Sequence, residues 1–184
     1  MPSPIAHAAS GYALSRIAWL KSRHLPLPAP ILTFYAVFIA CCPDLDFLPQ
    51  LMTGIRFHRG PSHSLLAAFV VSGLLAWLLH HDRRAISSRF SQVSFKAIFS
   101  LTFYLYLSHL ALDLLTAGGS GIPLFWPLSR QPVQLSFVLF PAVHHSRGLI
   151  DSSHLIFVGA ELLYTAVLMI GLRLFSTSAS DAAR

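Results

Sequence analysis

The chain reads as an all-α, polytopic membrane bundle with about four membrane-crossing helices and a short N-terminal helix. Three observations predict this. Of 184 residues, 54% are hydrophobic and only 11% charged, where a soluble domain carries about a quarter charged residues; mean hydropathy is +0.62. The apolar residues gather in stretches close to the roughly 20 residues that span a bilayer. The basic residues fall in alternate gaps between those stretches, as the positive-inside rule requires.

In chain order, residues 5–20 predict a helix that carries Arg16 and is too short to cross unaided, so it should pack against the others. Pro26, Pro28 and Pro30 mark a bend before the first apolar span, 29–50. The second span, 63–81, follows Pro61, with Ser62 the expected N-cap. The third, 96–117, ends at Gly118-Gly119-Ser120-Gly121, which opens a proline-bearing loop over 118–153. The last is 154–175, and the small polar tail 176–184 is expected to fray and be disordered. Residues 1–175 form one domain, with no internal repeat. Met1-Pro2-Ser3-Pro4 lacks the basic n-region of a cleavable signal. Cys41 and Cys42 are adjacent, and without Cys-x-x-Cys spacing they suggest neither a disulfide framework nor a thiolate zinc site.

Arg83, Arg84, Arg89 and Lys96 in the 82–96 loop place that loop in the cytoplasm, and Lys21 with Arg23 fall on the same side. The net charge of +6 therefore reports membrane topology, and no nucleic-acid partner is expected. The same threading puts His7, Asp44, Asp46, His58, His63, His109 and Asp113 together on the extracytoplasmic face. His24, His80 and His81 fall on the opposite side, and His144, His145 and His154 sit in or beside a loop too loosely constrained to assign.

Ten His against seven acids is a balance that favours metal chemistry. His109 and Asp113, at i and i+4, share a helix face and can grip one ion, although the same spacing also describes a simple His–Asp hydrogen bond. Thr116 continues that face, either to bond a ligand from behind or to bond back to its own helix. Asp44 and Asp46 follow Pro43, which interrupts a helix; two carboxylates so close in an apolar setting repel unless a cation lies between them. Asp46 could be a ligand or a general base. His58 and His63 flank Arg59-Gly60-Pro61, a turn that can aim both rings at one cavity, and the planar fork of Arg59 suits a phosphate or other anion. Glu161 is the only acid inside the last span, and a lone intramembrane carboxylate is a candidate for function.

Pro43-Asp44-Leu45-Asp46, then His58-Arg59-Gly60-Pro61-Ser62-His63-Ser64, then Leu107-Ser108-His109-x-x-x-Asp113-x-x-Thr116, then Gly121 and Trp126-Pro127, together resemble the membrane-bound, metal-dependent hydrolase family. That family takes in YdjM-like proteins, some described as LexA-regulated inner-membrane proteins. Met1-Pro2 through His7-Ala8-Ala9, Ser146-Arg147-Gly148-Leu149 and Glu161-Leu162-Leu163 look like the same family's ends, so the resemblance covers nearly the whole chain. It implies a bacterial inner-membrane, multi-pass protein with hydrolase activity. In motif order the family is similar to the zinc-dependent phospholipase C and single-strand nuclease group, in which His and Asp from helices hold zinc and phosphodiesters are cleaved. The present chain has no second downstream His-x-x-x-Asp, which departs from a three-zinc pattern.

The sequence thus predicts a membrane hydrolase using one or two divalent ions, zinc by preference, on a lipid or other phosphoester at the outer membrane edge. The expected ligands are His7, Asp44, Asp46, His58, His63, His109 and Asp113, with Glu161 and Thr116 as possible additions and Asp46 and Arg59 as catalytic groups. Two other classes fit the same residues: a transport or metal-homeostasis protein, and a membrane protein in which metal only staples helices.

Overall fold

The computed structural model describes residues 4–21, 27–54, 59–81, 93–117, 120–141 and 152–181. Its helices are α1 (Pro4–Lys21), α2 (Ala29–Cys41), α3 (Phe47–Thr53), α4 (Leu65–His81), α5 (Phe95–Leu114) and α6 (Ser152–Asp181). Among the described residues no strand forms; two isolated bridges, Thr116 with Phe140 and Ile122 with Val133, tie the 120–141 segment to the end of α5 and to itself. The chain is an all-helical bundle, as its composition predicts.

Three segments have the length and apolarity to cross a bilayer: Ala29–Pro49, Phe95–Leu114 and Leu155–Ser178. The fourth expected span is shorter than the sequence suggested. α4 has 17 residues, a rise of about 26 Å against a hydrocarbon core of about 30 Å. Its first turn is given up to a 3₁₀ turn over Pro61–His63. The N-cap also differs from expectation. Ser64, not Ser62, caps α4, its Oγ accepting from the Ala67 amide at 3.1 Å, because Ser62 is committed to Asp46. α6 continues to Asp181, six residues past position 175, with Ser176, Thr177 and Ser178 donating back to carbonyls of its own last turns.

α1 is held inside the bundle, against α2, α5 and α6, which explains how so short a helix with an arginine is accommodated: Arg16 sits over the Trp19 ring. Between membrane helices there is little hydrophobic drive, so association relies on close backbone approach at small residues. Gly11 provides it. A Cβ there would lie 2.7 Å from the Ala36 carbonyl oxygen and 2.9 Å from the Ala40 Cβ. Interhelical hydroxyl contacts add to it, Ser10 with Tyr164 at 2.7 Å and Tyr35 with Thr102. The outer faces stay apolar and exposed, with Phe34, Phe69, Trp77, Leu155 and Leu163 turned outward, as helices facing acyl chains should be.

The start of α1, the end of α2, the start of α4 and the end of α5 meet at one pole, as contacts among His7, Asp44, His63 and His109 require. Along the chain α1, α2, α4 and α5 therefore alternate in direction. The 120–141 segment covers that pole. Leu65 donates to Leu124 at 3.0 Å, and Leu139 and Phe140 both donate to the Leu115 carbonyl.

Gly11→Ala should lower the thermal midpoint in detergent, at an overpacking cost of about 1–3 kcal/mol. Gly159→Ala, where an added Cβ meets nothing within 4 Å, should be neutral or slightly stabilising. Equal midpoints for the two variants would contradict the close α1–α2 contact.

Candidate metal centre

Breaks in the helices build this pole. α2 runs into Pro43, whose ring cannot continue the helix, and Cys42–Asp46 winds as 3₁₀, which carries Asp44 and Asp46 to different sides of one histidine. Farther along, Arg59 sits in the left-handed region at φ 61°, a conformation a non-glycine residue adopts only when its surroundings hold it there. The following 3₁₀ turn swings His63 inward until it is fully buried. α5 supplies His109 and Asp113 from one face, and α1 supplies His7 from its first turn.

Three atoms form the heart of the arrangement. Asp44 Oδ1 lies 3.4 Å from His63 Nε2 and 3.5 Å from His109 Nε2, and the two Nε2 atoms are 3.3 Å apart. A tetrahedral zinc ion with bonds of about 2.0–2.1 Å has ligand–ligand edges of about 3.3–3.4 Å. This triangle therefore has the dimensions of one face of such a tetrahedron. Asp113 Oδ2 stands near a fourth vertex, 3.3 Å from His63 Nε2 and 3.8 Å from His109 Nε2. The other oxygens of the two carboxylates point to a second group: Asp44 Oδ2 is 4.0 Å and Asp113 Oδ1 3.9 Å from His7 Nε2. Asp113 Oδ1 also lies 3.8 Å from Arg59 Nη2. His7 and His109 stack with ring centroids 3.8 Å apart.

The tautomers are fixed from outside. His109 Nδ1 donates to the Ala40 carbonyl at 2.8 Å, which leaves its Nε2 lone pair facing the cluster. His63 Nδ1 faces Asp46 Oδ2 at 3.2 Å, and Ser62 donates to that same oxygen at 2.6 Å. Tyr106 in turn donates to the Ser62 carbonyl at 2.7 Å. A carboxylate behind a ligating histidine orients the ring and raises its basicity. Asp46 stands in that place, on the far side of His63 from the triangle.

A cation fits these residues, because the polar atoms facing inward lack compensation. His7 Nδ1 and Nε2, Asp44 Oδ1, both Asp113 oxygens, and Arg59 Nε and Nη2 are buried with no hydrogen-bond partner among the described residues. Each such group left unmet costs about 1–3 kcal/mol. Two triads have ligand atoms mutually close enough for one ion: His7, His109 and Asp113, and Asp44, His63 and His109. His63, in the turn before α4, shows the same demand. Burial disfavours its imidazolium, yet the carboxylates of Asp44 and Asp46, with Asp113 beyond them, lift its pKa to about 9. The carboxylates call for positive charge, and a divalent ion would take the place of that proton.

The structure brings together His7, Asp44, His63, His109, Asp113 and Arg59 from scattered positions, with Asp46 one step behind. Among the described residues the direct His109–Asp113 hydrogen bond does not form, since 3.8 Å is beyond its range. Thr116 takes the alternative of bonding its own helix, donating to the Leu112 carbonyl at 2.9 Å. Glu161 is 1% exposed on α6 and belongs to neither triad. His58, His144 and His145 lie outside the described residues, as does the side chain of His154. Sequence reasoning missed Tyr106 and the Ala40 carbonyl and misplaced Ser62. Tyr106 precedes His109 by three residues and shares its face, a signal the spacing carried.

With divalent metal titrated calorimetrically, Asp46→Ala should weaken affinity about 10–100-fold, the usual cost of losing an outer partner. Asp46→Asn, which keeps an acceptor for His63 Nδ1, should lose less. An unchanged affinity in Asp46→Ala would remove Asp46 from the site.

The comparisons with known proteins agree with this architecture. The chain is 33% identical over 136 residues to the inner membrane protein YbcI of Escherichia coli (strain K12), covering 71% of this chain and 70% of that protein. No solved structure matches it. The YdjM inner membrane protein family matches residues 1–180, and the chain belongs to that family.

Proposed function

We propose that this protein is a metal-dependent hydrolase of the bacterial inner membrane, with its site at the extracytoplasmic edge, acting on a phosphoester or phospholipid-type substrate. The observation that carries this reading is the Asp44–His63–His109 triangle with tetrahedral edge lengths, set beside a guanidinium whose Nε and Nη2 have no hydrogen-bond partner among the described residues. His63, His109, Asp44 and Asp113 would hold one ion; His7 with the outer oxygens of the same carboxylates, and His58 by its place in the motif, would hold a second. Zinc suits a set of imidazoles and carboxylates at these distances. Bound there, a divalent ion would supply Lewis acidity and bring the pKa of water toward neutrality.

The chain's own residues do the rest. Arg59 binds the anionic group and neutralises charge that develops on its oxygens. Asp46 holds the His63 ring in the orientation that presents Nε2. Access is from the side of Asp44 and Arg59, whose side chains are 17% and 12% exposed while those of His7, His63, His109 and Asp113 are at 0%. The basic 82–96 segment and the Lys21–Arg23 pair support an extracytoplasmic placement of the opposite pole.

That same burial favours one other reading, a closed metal that only fastens α1, α2, α4 and α5 together. The two separate under substitution. For the hydrolase, His109→Ala should retain its helical fold and lose hydrolysis of a fluorescent phospholipid or of bis-p-nitrophenyl phosphate; for a staple, the fold itself collapses. Chelation should abolish turnover and added zinc restore it, whereas full activity in metal-free protein would end the proposal. Arg59→Ala should keep its metal and lose about 10²-fold or more in kcat, the scale of a lost oxyanion donor.

A further inference from the structure

A connecting segment that meets water turns polar and charged side chains outward. The 120–141 segment over the metal pole does the reverse. It holds one charged residue, Arg130, and no acid, while Phe125, Leu128, Leu135, Phe137, Val138 and Leu139 are exposed. Leu128 and Phe137 stand out furthest, at 94% and 70%. The backbone, in contrast, is fastened inward. Ile122 and Val133 exchange amide bonds, Leu135 donates to the Leu114 carbonyl, and Leu139 and Phe140 donate to that of Leu115. Pro123, Pro127, Pro132 and Pro141 bring no amide hydrogen at all. Much of the demand for backbone hydrogen bonds is thus met within the protein, which is what a chain must provide before it leaves water.

α4 sets the depth of this segment. The helix rises about 26 Å over its 17 residues, and Arg83 and Arg84 follow directly, charges that stay out of hydrocarbon. A hydrocarbon core is about 30 Å thick. The Leu65 end therefore falls short of the opposite boundary, and any tilt lowers it further. The Leu124 carbonyl accepts from the Leu65 amide at 3.0 Å, which brings the Phe125–Leu128 turn to the same level. The other arm is bound to Leu114 and Leu115, at the end of an α5 of 20 residues, a rise of about 30 Å. Leu65, Leu66 and Phe69 are exposed on the first turns of α4, so the lipid-facing exterior of that helix continues up to the level at which the segment is bound.

We propose that the 120–141 segment is seated in the lipid leaflet at the metal pole, with Phe125, Leu128, Phe137 and Val138 among the upper acyl carbons and the Arg130 guanidinium among the lipid phosphates. Apolar side chains of interfacial segments sink about 5–10 Å into the boundary between headgroups and acyl chains. A long cationic side chain reaches back from there to the anionic headgroups. Phe47, Leu48 and Met52 of α3 are exposed too, at the end of the Ala29–Pro49 span, and meet the same layer. The assignment goes beyond the hydrolase reading and stands without it. Its consequence is that the pole is capped by lipid-embedded chain, not by a loop in bulk water.

The test places a nitroxide at Leu128→Cys or Phe137→Cys in a Cys41→Ala, Cys42→Ala background of the full chain. The protein is held in phosphatidylethanolamine–phosphatidylglycerol nanodiscs, which leave both membrane faces open to reagents. Collisions with oxygen, which concentrates in hydrocarbon, are compared with collisions with nickel ethylenediaminediacetate, which stays in water. Phe34→Cys, on the outward face of α2, gives the lipid reference, and a free nitroxide in buffer gives the water reference. We expect the oxygen-to-nickel collision ratio at both positions to exceed the buffer value at least fivefold and to approach that of Phe34→Cys. A ratio equal to that in buffer puts the segment in water and overturns the proposal. Low collision rates with both reagents put protein over this face, such as a second copy of the chain, and overturn it as well. Should the cysteine-free background fail to fold, Leu128→Trp in a Trp19→Phe, Trp77→Phe, Trp126→Phe chain reads the same depth with Cys41 and Cys42 intact. Lipid brominated near the top of its acyl chains should then quench the emission at least twofold more than lipid brominated near the chain ends. Equal quenching by the two lipids, or none, would reject the seating.

Discussion

Two carboxylates and three imidazoles share a pole of an apolar bundle in which, among the described residues, most of their inward atoms have no hydrogen-bond partner. That is the constraint from which the rest of the arrangement follows. Ionised groups removed from water need opposite charge and hydrogen bonds in good geometry. Here the geometry for direct pairing is poor: His7 approaches both carboxylates no nearer than 3.9 Å, and His109 approaches Asp113 at 3.8 Å. These separations are too long for hydrogen bonds and leave the atoms close enough to share a cation. Without such a cation the pole would be a source of repulsion in the place where four chain segments must meet.

The helices themselves are plain apolar rods, and the chemistry is made where they break. Pro43 turns the end of α2 into a 3₁₀ segment that divides Asp44 from Asp46. Arg59, at positive φ, and Pro61 start another 3₁₀ turn that drives His63 inward. Because α1, α2, α4 and α5 alternate in direction along the chain, breaks at the end of one and the start of the next fall at the same pole. α4 shows the cost of this design, since the residues spent on the His63 turn are lost to its length. Gly11 shows what allows it: α1 can bring His7 to the cluster only if its backbone lies almost against α2.

Much of this was legible in the chain because two independent patterns agree. Apolar stretches gave the helices, and basic gaps gave their directions; together these put His7, Asp44, His63, His109 and Asp113 at one pole before any distance was known. Periodicity could not divide roles within a two-residue step. Asp44 and Asp46 look equivalent in sequence, and only the 3₁₀ winding after Pro43 shows that one faces the triangle and the other the rear of His63. Ser62 looked like a helix cap for a similar reason. Serine is a good cap wherever a helix starts, and the fold used Ser64 because the Asp46 carboxylate had a stronger claim on Ser62. Thr116 fell to local competition, since a buried hydroxyl on a helix can always reach a carbonyl one turn back.

The division of the carboxylate oxygens argues against a metal that only fastens helices. A structural ion is best served by ligands that turn fully toward it and close its coordination. Asp44 and Asp113 instead each send one oxygen to the His63–His109 pair and the other toward His7, so neither is committed to a single centre. Arg59 adds to this. Its guanidinium is held by a strained backbone within 3.8 Å of Asp113, yet Nε and Nη2 make no hydrogen bond among the described residues. In a purely structural site the guanidinium would serve only to balance Asp113, at 3.8 Å, and would repel the ion beside it. A site that receives an anion gains a great deal, because the guanidinium and the ion then share one negatively charged guest between them. The position of Arg59 is thus the one that the proposed hydrolase reading requires.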